Sequence, residues 1–343
     1  MIATSTFAFG CHRSKTEWTR AASLVAALAL ALATNAIASA EPGVADKPWA
    51  DVPAESRTIA SGIGGMAWLD ARRLLVVHDT KVGSDGPRIG VLRISSSGEP
   101  RYRAAIVDWS KAGGESNDLE ALAAIPDKPG EFFAVESGYY QQQYGRLIRL
   151  RAKFEENGVC RVATVSAWQL PDDTDNVEGL VCVSRGAGKL LIVLGERGGE
   201  VSEASTSGRL RWTELDLDRP GRLSIGENAQ ALLPIPTAGW ARPKSVRGCG
   251  DLYLDAKGRL WSAAAEDPGD AGPFRSVIFH AATVDAKAGS AVRVEVKPAA
   301  KWTLDGAKVE AITDPLAGVG ELCIATDDEN YGALWRPLAL PQE

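Results

Sequence analysis

The 343-residue chain carries 38 Lys and Arg against 44 Asp and Glu, a net charge of −6, with 45% apolar and 24% charged residues. That balance excludes a duplex-DNA binder, which needs a basic footprint, and it is compatible with cation binding. Thirty-five glycines, 18 prolines and ten tryptophans describe a turn-rich chain whose strands carry large flat side chains.

Arg13, Lys15 and Arg20 precede an apolar run, Ala21 to Ala33, too short to span a bilayer comfortably. Ala38-Ser39-Ala40 follows, a small-x-small cleavage pattern, and then polar residues. Residues 1–40 therefore read as a secretory signal cut after Ala40, and the mature protein is expected in the periplasm or outside the cell. Residues 41–54 are a Pro- and Ala-rich leader, and residues 55–343 a single domain, expected to act as a monomer without a membrane span. Export leaves Cys160, Cys182, Cys249 and Cys323 in an oxidising compartment, where three pairings of two bridges are open. Cys160 with Cys182 is the favoured pair; free buried thiols fit the apolar strand contexts equally well.

From there one sentence repeats five times: a short apolar strand, a Gly or Pro turn, a second strand, an acid. The copies are Gly64 to Lys81, Asn117 to Ser137, Asp175 to Arg197, Cys249 to Gly269 and Lys308 to Asn330. Aligned on Gly65, Glu120, Glu178, Gly250 and Glu310, they lie 55, 58, 72 and 60 residues apart. Periods of this size, built of strands only, predict an all-β propeller with five blades, six being the alternative. The second strands (RLLVVH, EFFAV, KLLIVL, RLWSAA, ELCIA) are nearly wholly apolar, as strands buried on both faces are. The last module lacks an outer strand, which ESRTIA (Glu55 to Ala60) is expected to supply, closing the ring and removing an open edge. The 72-residue interval holds a long rim loop around PIPTAGWARPKSVR.

Innermost strands of a propeller line its channel, so Glu120, Glu178 and Glu310 are expected to converge there. Three close carboxylates cannot all stay ionised in a low dielectric without a cation. Calcium, with six to eight hard oxygen ligands, is the expected occupant; solvated acids capping backbone amides are the other reading. A second set ends each second strand: Asp79, Glu136, Glu196, Glu266 with Asp267, and Asp327 with Asp328. With Lys81, Arg197, Arg247 and Lys244 interspersed, these acids form an expected rim able to take a phosphate ester, arginine clamping its oxygens. Glu196, Asp79 and Asp328 are the candidate catalytic groups, and Arg197, Arg247, Lys81, Glu136 and Glu266 the candidate substrate contacts. Turn capping by the same acids is the alternative. GxSxG, HExxH, GxxxxGK[ST] and EF-hand patterns are absent. Of the two remaining histidines, His280 reads as core and His78 as a residue able to face the rim.

The openings NDLEAL, DNVEGL and KVEAI resemble the phytase-like and esterase-like β-propeller group, including uncharacterised exported members. The fragment SVRGCGDLYLDAKGRLWSAAAEDPGDAGPFRS resembles that group's fourth module. The order Gly65, Glu120, Glu178, Gly250, Glu310 is also similar to the calcium-activated nucleotidases (apyrases), five-bladed propellers with Ser, Glu, Glu, Ser, Glu around a central calcium. That resemblance implies a calcium role for the three glutamates, with two side-chain oxygens missing. The implied activity is hydrolysis of phosphate esters or other small anionic esters. A non-catalytic propeller presenting loops to a protein or envelope glycan, and lactonase-type chemistry with a transition metal, are the alternatives.

Overall fold

A computed structural model describes residues 62–339 except 85, 139–143, 175, 187, 199–206, 286, 288–290 and 318. All of these belong to one compact unit, Pro48–Glu343. The expected signal, leader, closing strand Glu55 to Ala60, and Cys11 and Asp175 lie outside the described residues. No α-helix occurs among the described residues, and none is long and apolar enough to cross a membrane.

The strands form five sheets. Blade 1 is β1 (Gly65–Asp70), β2 (Arg73–Val77), β3 (Ile89–Ile94) and β4 (Pro100–Ala104), each antiparallel to the next. Blade 2 takes β5 (Ile106–Asp108) as a parallel edge on β9 (Cys160–Gln169), inside which lie β6 (Leu119–Ala124), β7 (Glu131–Glu136) and β8 (Arg146–Phe154). Blade 3 is β10 (Val177–Gly186), β11 (Lys189–Glu196), β12 (Gly208–Asp216) and β13 (Gln230–Leu233). In blade 4 the innermost strand is broken into β14 (Val246–Arg247) and β15 (Leu252–Leu254), both paired with β16 (Arg259–Glu266). Its outer side is β17 (Arg275–Val284), flanked by β18 (Val292–Val294) and β19 (Ala300–Asp305). Blade 5 is β20 (Val309–Thr313), β21 (Leu322–Thr326) and β22 (Trp335–Leu338).

Innermost strands pack in a closed cycle, β1 on β6, β6 on β10, β10 on β15, β15 on β20, and β20 back on β1. The protein is a five-bladed β-propeller. Its core is five layers, one between each pair of blades, and the second strands explain why their sequences are so uniformly apolar. Phe132 and Ala134 of β7 face blade 1, whereas Phe133 and Val135 face blade 3. Leu75 and Val77 of β2 face blade 2, and Leu74 and Val76 meet Ala311, Cys323 and Ala325 of blade 5. A period-2 strand buried on both sides has no polar position left. Truncating Phe132 or Phe133 to Ala removes about 3–5 kcal/mol at such a site.

Between the two parts of its broken innermost strand, blade 4 is packed tightly on blade 5. Gly250 lies against blade 5 so closely that a Cβ would stand 2.6 Å from the Val309 carbonyl oxygen. Next to it buried Asp251 accepts the Ile312 N–H at 2.6 Å, tying blade 4 to blade 5. The expected long loop is present before β14 and is pinned by Glu266, which accepts the Ala241 N–H at 2.8 Å.

All four described cysteines are free. The favoured Cys160–Cys182 pairing is not formed, because Cys160 is buried between blades 1 and 2 while Cys182 packs on the layer between blades 2 and 3. His78 does not face the rim. It is fully buried, Nδ1 lies 2.5 Å from the Gly62 carbonyl and Nε2 3.0 Å from the Tyr102 hydroxyl. His280 is only half-buried, 3.8 Å from Glu295 and beside Trp261, so it is not a core residue.

Candidate functional site at the channel mouth

A register slip aims the three glutamates. In blade 2, Leu119 pairs with Glu136 and Ala121 with Val135, so Glu120 is skipped. The same slip skips Glu178 between Val177 and Gly179, and Glu310 between Val309 and Ala311. A bulge leaves the extra residue out of the ladder and re-aims its side chain. Two positions earlier the backbone is forced into the left-handed region at Asp118 (φ 63) and Asn176 (φ 45), a conformation Asp and Asn tolerate best. Their carbonyls accept the N–H of Ser137 and Arg197, each at 2.9 Å.

That hydrogen bond recurs as Asp327 N–H to Lys308 O (3.0 Å) and Asp267 N–H to Ser245 O (2.9 Å), and it aligns the blades residue by residue. The residue two after the accepting carbonyl is Glu120, Glu178, Arg247 or Glu310. In blade 1 the pairing of Gly65 with Val77 matches that of Ala121 with Val135, which makes Gly64 the fifth. Gly65 and Gly250 are thus not the equivalents of the glutamates; Gly64 and Arg247 are. The signal was in the chain, since SVRG repeats NVEG with Arg in place of Glu. Glycine at 64 leaves the room Glu120 occupies: a Cβ there would meet Glu120 Oε2 and the Leu119 carbonyl oxygen, both at 3.1 Å.

One electrostatic cluster results. Its carboxylates are Asp79, Asp118, Glu120, Glu178, Asp267, Glu310, Asp327 and Glu329, and its cations Lys81, Arg197, Arg247 and Lys308. Arg197 lies 3.2 Å from Glu178, Arg247 3.6 Å from Asp267, and Lys308 3.1 Å from Glu310 and 3.8 Å from Asp267. Lys308 also pairs with Glu329, and Lys81 with Asp118, which accepts the Ser137 hydroxyl at 2.7 Å. Eight carboxylates against four cations leave the mouth with surplus negative charge in a largely buried place.

The groups respond accordingly. Burial pushes the Glu120 carboxyl well above the usual range, and Glu178, Asp118, Glu310 and Asp79 push it further. Glu120 has no hydrogen bond or ion pair among the described residues. Glu310 is also held well above its ordinary value by burial, Lys308 opposing and Asp327 and Glu178 adding to the rise. Glu178 is raised by burial against the pull of Arg197 and Lys308, and Asp327 is pushed up to about 6 by burial. Burial alone would lower Lys308, but Glu310, Asp327, Glu329 and Asp267 raise it above the usual ammonium value.

Of the sequence-derived candidates, the structure brings together Glu120, Glu178, Glu310, Asp79, Arg197, Arg247 and Lys81. It does not bring in Glu136, Glu196, Glu266 or Asp328. Glu136 is fully buried against Arg146 (2.9 Å to Nε, 2.5 Å to Nη2) and accepts the N–H groups of Asn117, Gly145 and Arg146. Glu196 is held by Arg209 at 2.5 Å and Arg211 at 3.2 Å, and Glu266 by Arg242 at 3.3 Å and the Ala241 N–H. Asp328 accepts the Lys308 N–H at 2.7 Å and the Thr326 hydroxyl at 2.8 Å. These carboxylates brace loops; they form no acidic rim. Lys308, Asp118 and Glu329 were not singled out from sequence, because their part depends on charges brought in from other blades.

The mouth offers carboxylate oxygens, the donor type that calcium takes. Their charge is in surplus, and the buried Glu178 Oε1, without a hydrogen bond, faces the Arg197 guanidinium at 3.2 Å. Among the described residues no group of three or more His, Cys, Asp or Glu is placed so that it could hold a metal ion, and Arg197 and Lys308 pair with two of the three glutamates.

No protein-family model matches the chain, and no curated protein matches it. Solved structures that resemble it include an exo-1,5-alpha-L-arabinanase from a bovine ruminal metagenomic library (11% identity, 82% of this chain and 94% of that one, TM-score 0.45). Others are a GH43 beta-1,3-galactosidase with galactodeoxynojirimycin (10%, 82% and 90%, 0.41) and sucrose-6-phosphate hydrolase from Lactobacillus gasseri (11%, 82% and 60%, 0.40). The chain spans 60% of the last of these. Likeness at this level says nothing of substrate or activity.

Proposed function

We propose that the channel mouth takes a calcium ion on Glu120, Glu178 and Glu310, and that this exported propeller hydrolyses small phosphate esters or other anionic esters there. The observation that supports this is the surplus of buried carboxylate, with Glu120 making no ion pair among the described residues. Without a cation the same surplus would repel an anionic substrate. When bound, calcium would offset charge on the substrate's oxygens.

The chain's own residues supply the rest. Arg197 and Arg247 come from neighbouring blades joined by the Gly248 N–H to Arg197 carbonyl bond (2.6 Å). Their planar forks suit bidentate contact with a phosphoryl group. Lys81, exposed at the edge, adds a point charge. Asp327, held near pH 6 and 3.9 Å from Lys308, is the group poised to take a proton from attacking water at neutral pH. Burial raises its pKa most, and the nearby Asp79 adds to the rise.

Thermal unfolding with calcium or chelator is the first test. At free calcium 100 times Kd, binding adds about 2.7 kcal/mol, or roughly 5 °C for a domain of this size, and Glu178→Gln should reduce that shift. Calcium-dependent hydrolysis of p-nitrophenyl phosphate or nucleotides should vanish in Asp327→Asn while the calcium shift remains. No calcium shift in the wild type would overturn the metal site. A shift without hydrolysis would favour the second reading, a non-catalytic propeller that binds a protein or envelope glycan. The pairing of Lys308 and Arg197 with two of the glutamates favours that reading too, because it neutralises part of the cluster from within.

A further inference from the structure

At the other end of blade 1 lies a cavity of about 720 Å³, between its outer strands and the β8–β9 hairpin of blade 2. It is lined by Arg72, Arg73, Arg93, Arg101 and Arg103, with Asp70 as the lining carboxylate. Three of the arginines stand directly opposite one another across adjacent strands: Arg73 pairs with Arg93, and Arg93 with Arg101. Arg103 follows two positions later, opposite Val91, on the same face. Asp70 is already taken by Arg73 (2.6 Å to Nε), whose guanidinium lies 3.7 Å over the Phe154 ring. Arg72 donates to the Ser95 carbonyl at 2.7 Å. Arg93, Arg101 and Arg103 are exposed, and their side chains make no ion pair or hydrogen bond among the described residues.

A row of like charges directly opposed across a sheet opposes folding. It stands out in a chain of net charge −6 that has acids to spare. The floor beneath the arginines is Val91, Ala104, Phe154 and Cys160, and the volume is that of a small-molecule site rather than a flat surface. Guanidinium forks spaced along strands match the oxygens of linked phosphate groups, each able to take two parallel hydrogen bonds. We propose that this groove binds a small molecule carrying two or more phosphate groups. The site is independent of the channel mouth: Arg73 begins β2 and His78 follows its end, about 17 Å away along the strand.

Titration calorimetry with inorganic tripolyphosphate, in chelator so that calcium plays no part, tests the proposal. One equivalent should bind at low salt, orthophosphate should bind more weakly, and affinity should fall steeply as salt rises. The double variant Arg93→Gln/Arg101→Gln should weaken binding at least tenfold and leave hydrolysis at the mouth unchanged, whereas Arg197→Gln should leave tripolyphosphate binding intact. Without anion at low salt, the double variant should melt at or above the wild type, and tripolyphosphate should raise the wild-type Tm alone. Should that variant fold poorly, Arg103→Gln gives the same reading at smaller amplitude. Absence of binding at low salt, equal binding by the double variant, or loss of binding in Arg197→Gln would each overturn the proposal.

Discussion

Glu120 and Glu136 stand on neighbouring strands of one blade, both buried, yet they have opposite fates. Glu136 is ringed by donors from its own blade, with Arg146 bonded to both its oxygens. Glu120, aimed inward by the bulge, meets other carboxylates and only the more distant charges of Lys81 and Arg197. Blade 3 repeats the contrast with Glu196 against Glu178, although there Arg197 reaches the inner acid. A buried carboxylate whose blade supplies its cation is a brace. One left without a cation is kept charged only by something from outside, and otherwise holds a proton.

The sharpest way to break this comparison is Glu136→Ala. Removing one partner of a buried pair leaves Arg146 uncompensated, and urea unfolding should show a loss of about 3–5 kcal/mol. A loss below about 1 kcal/mol would mean the brace is no brace. Next, Lys308→Met removes the internal cation of the mouth. Stability in chelator should drop by about 2 kcal/mol, and calcium should restore more of it than it adds to the wild type. Equal calcium shifts in both proteins would separate Lys308 from the metal.

Blade 1 sharpens the contrast from the other side, because neutral His78 sits where blade 2 has Glu136. Burial lowers the His78 pKa from its ordinary value, despite the Gly62 hydrogen bond and the charge of Asp79. The unfolded chain then takes up a proton that the folded one refuses. The contribution of His78 is therefore fully present above about pH 6.5 and is lost as pH falls toward the lower folded value, with a slope of at most about 1.4 kcal/mol per pH unit. Unfolding followed from pH 7.5 to 5 should show this slope, reduced in His78→Gln; an unchanged slope would assign it elsewhere. The smallest effect belongs to Glu120→Gln, which keeps the shape and removes a carboxylate that makes no ion pair among the described residues. Stability in chelator should change by less than about 1 kcal/mol, and toward greater stability, with the calcium shift much reduced. A large loss would reveal a counter-charge to Glu120.

Much of the fold was legible because a propeller writes the same physics five times. RLLVV, EFFAV and KLLIVL are apolar after their first residue since each alternate residue serves a different interblade layer, as in any strand buried on both faces. The three inward glutamates were legible as well, from their place at the head of the first strand in each copy. The blade 1 and blade 4 equivalents were misplaced, onto Gly65 and Gly250, because a bulge or a two-part strand shifts register by a residue or more without changing the apolar pattern.

What the sequence by itself determined is the number of modules, their strand order and the acids available to each. Only the tertiary structure decided which acids are spent as braces and which converge. Charge pairing is a matter of distance in space: Arg146 lies ten residues from Glu136, but Lys308 meets Asp267 across 41 residues and Arg247 enters the mouth from a blade with no glutamate there. Burial, which sets the proton affinity of each group, likewise exists only once the ring has closed.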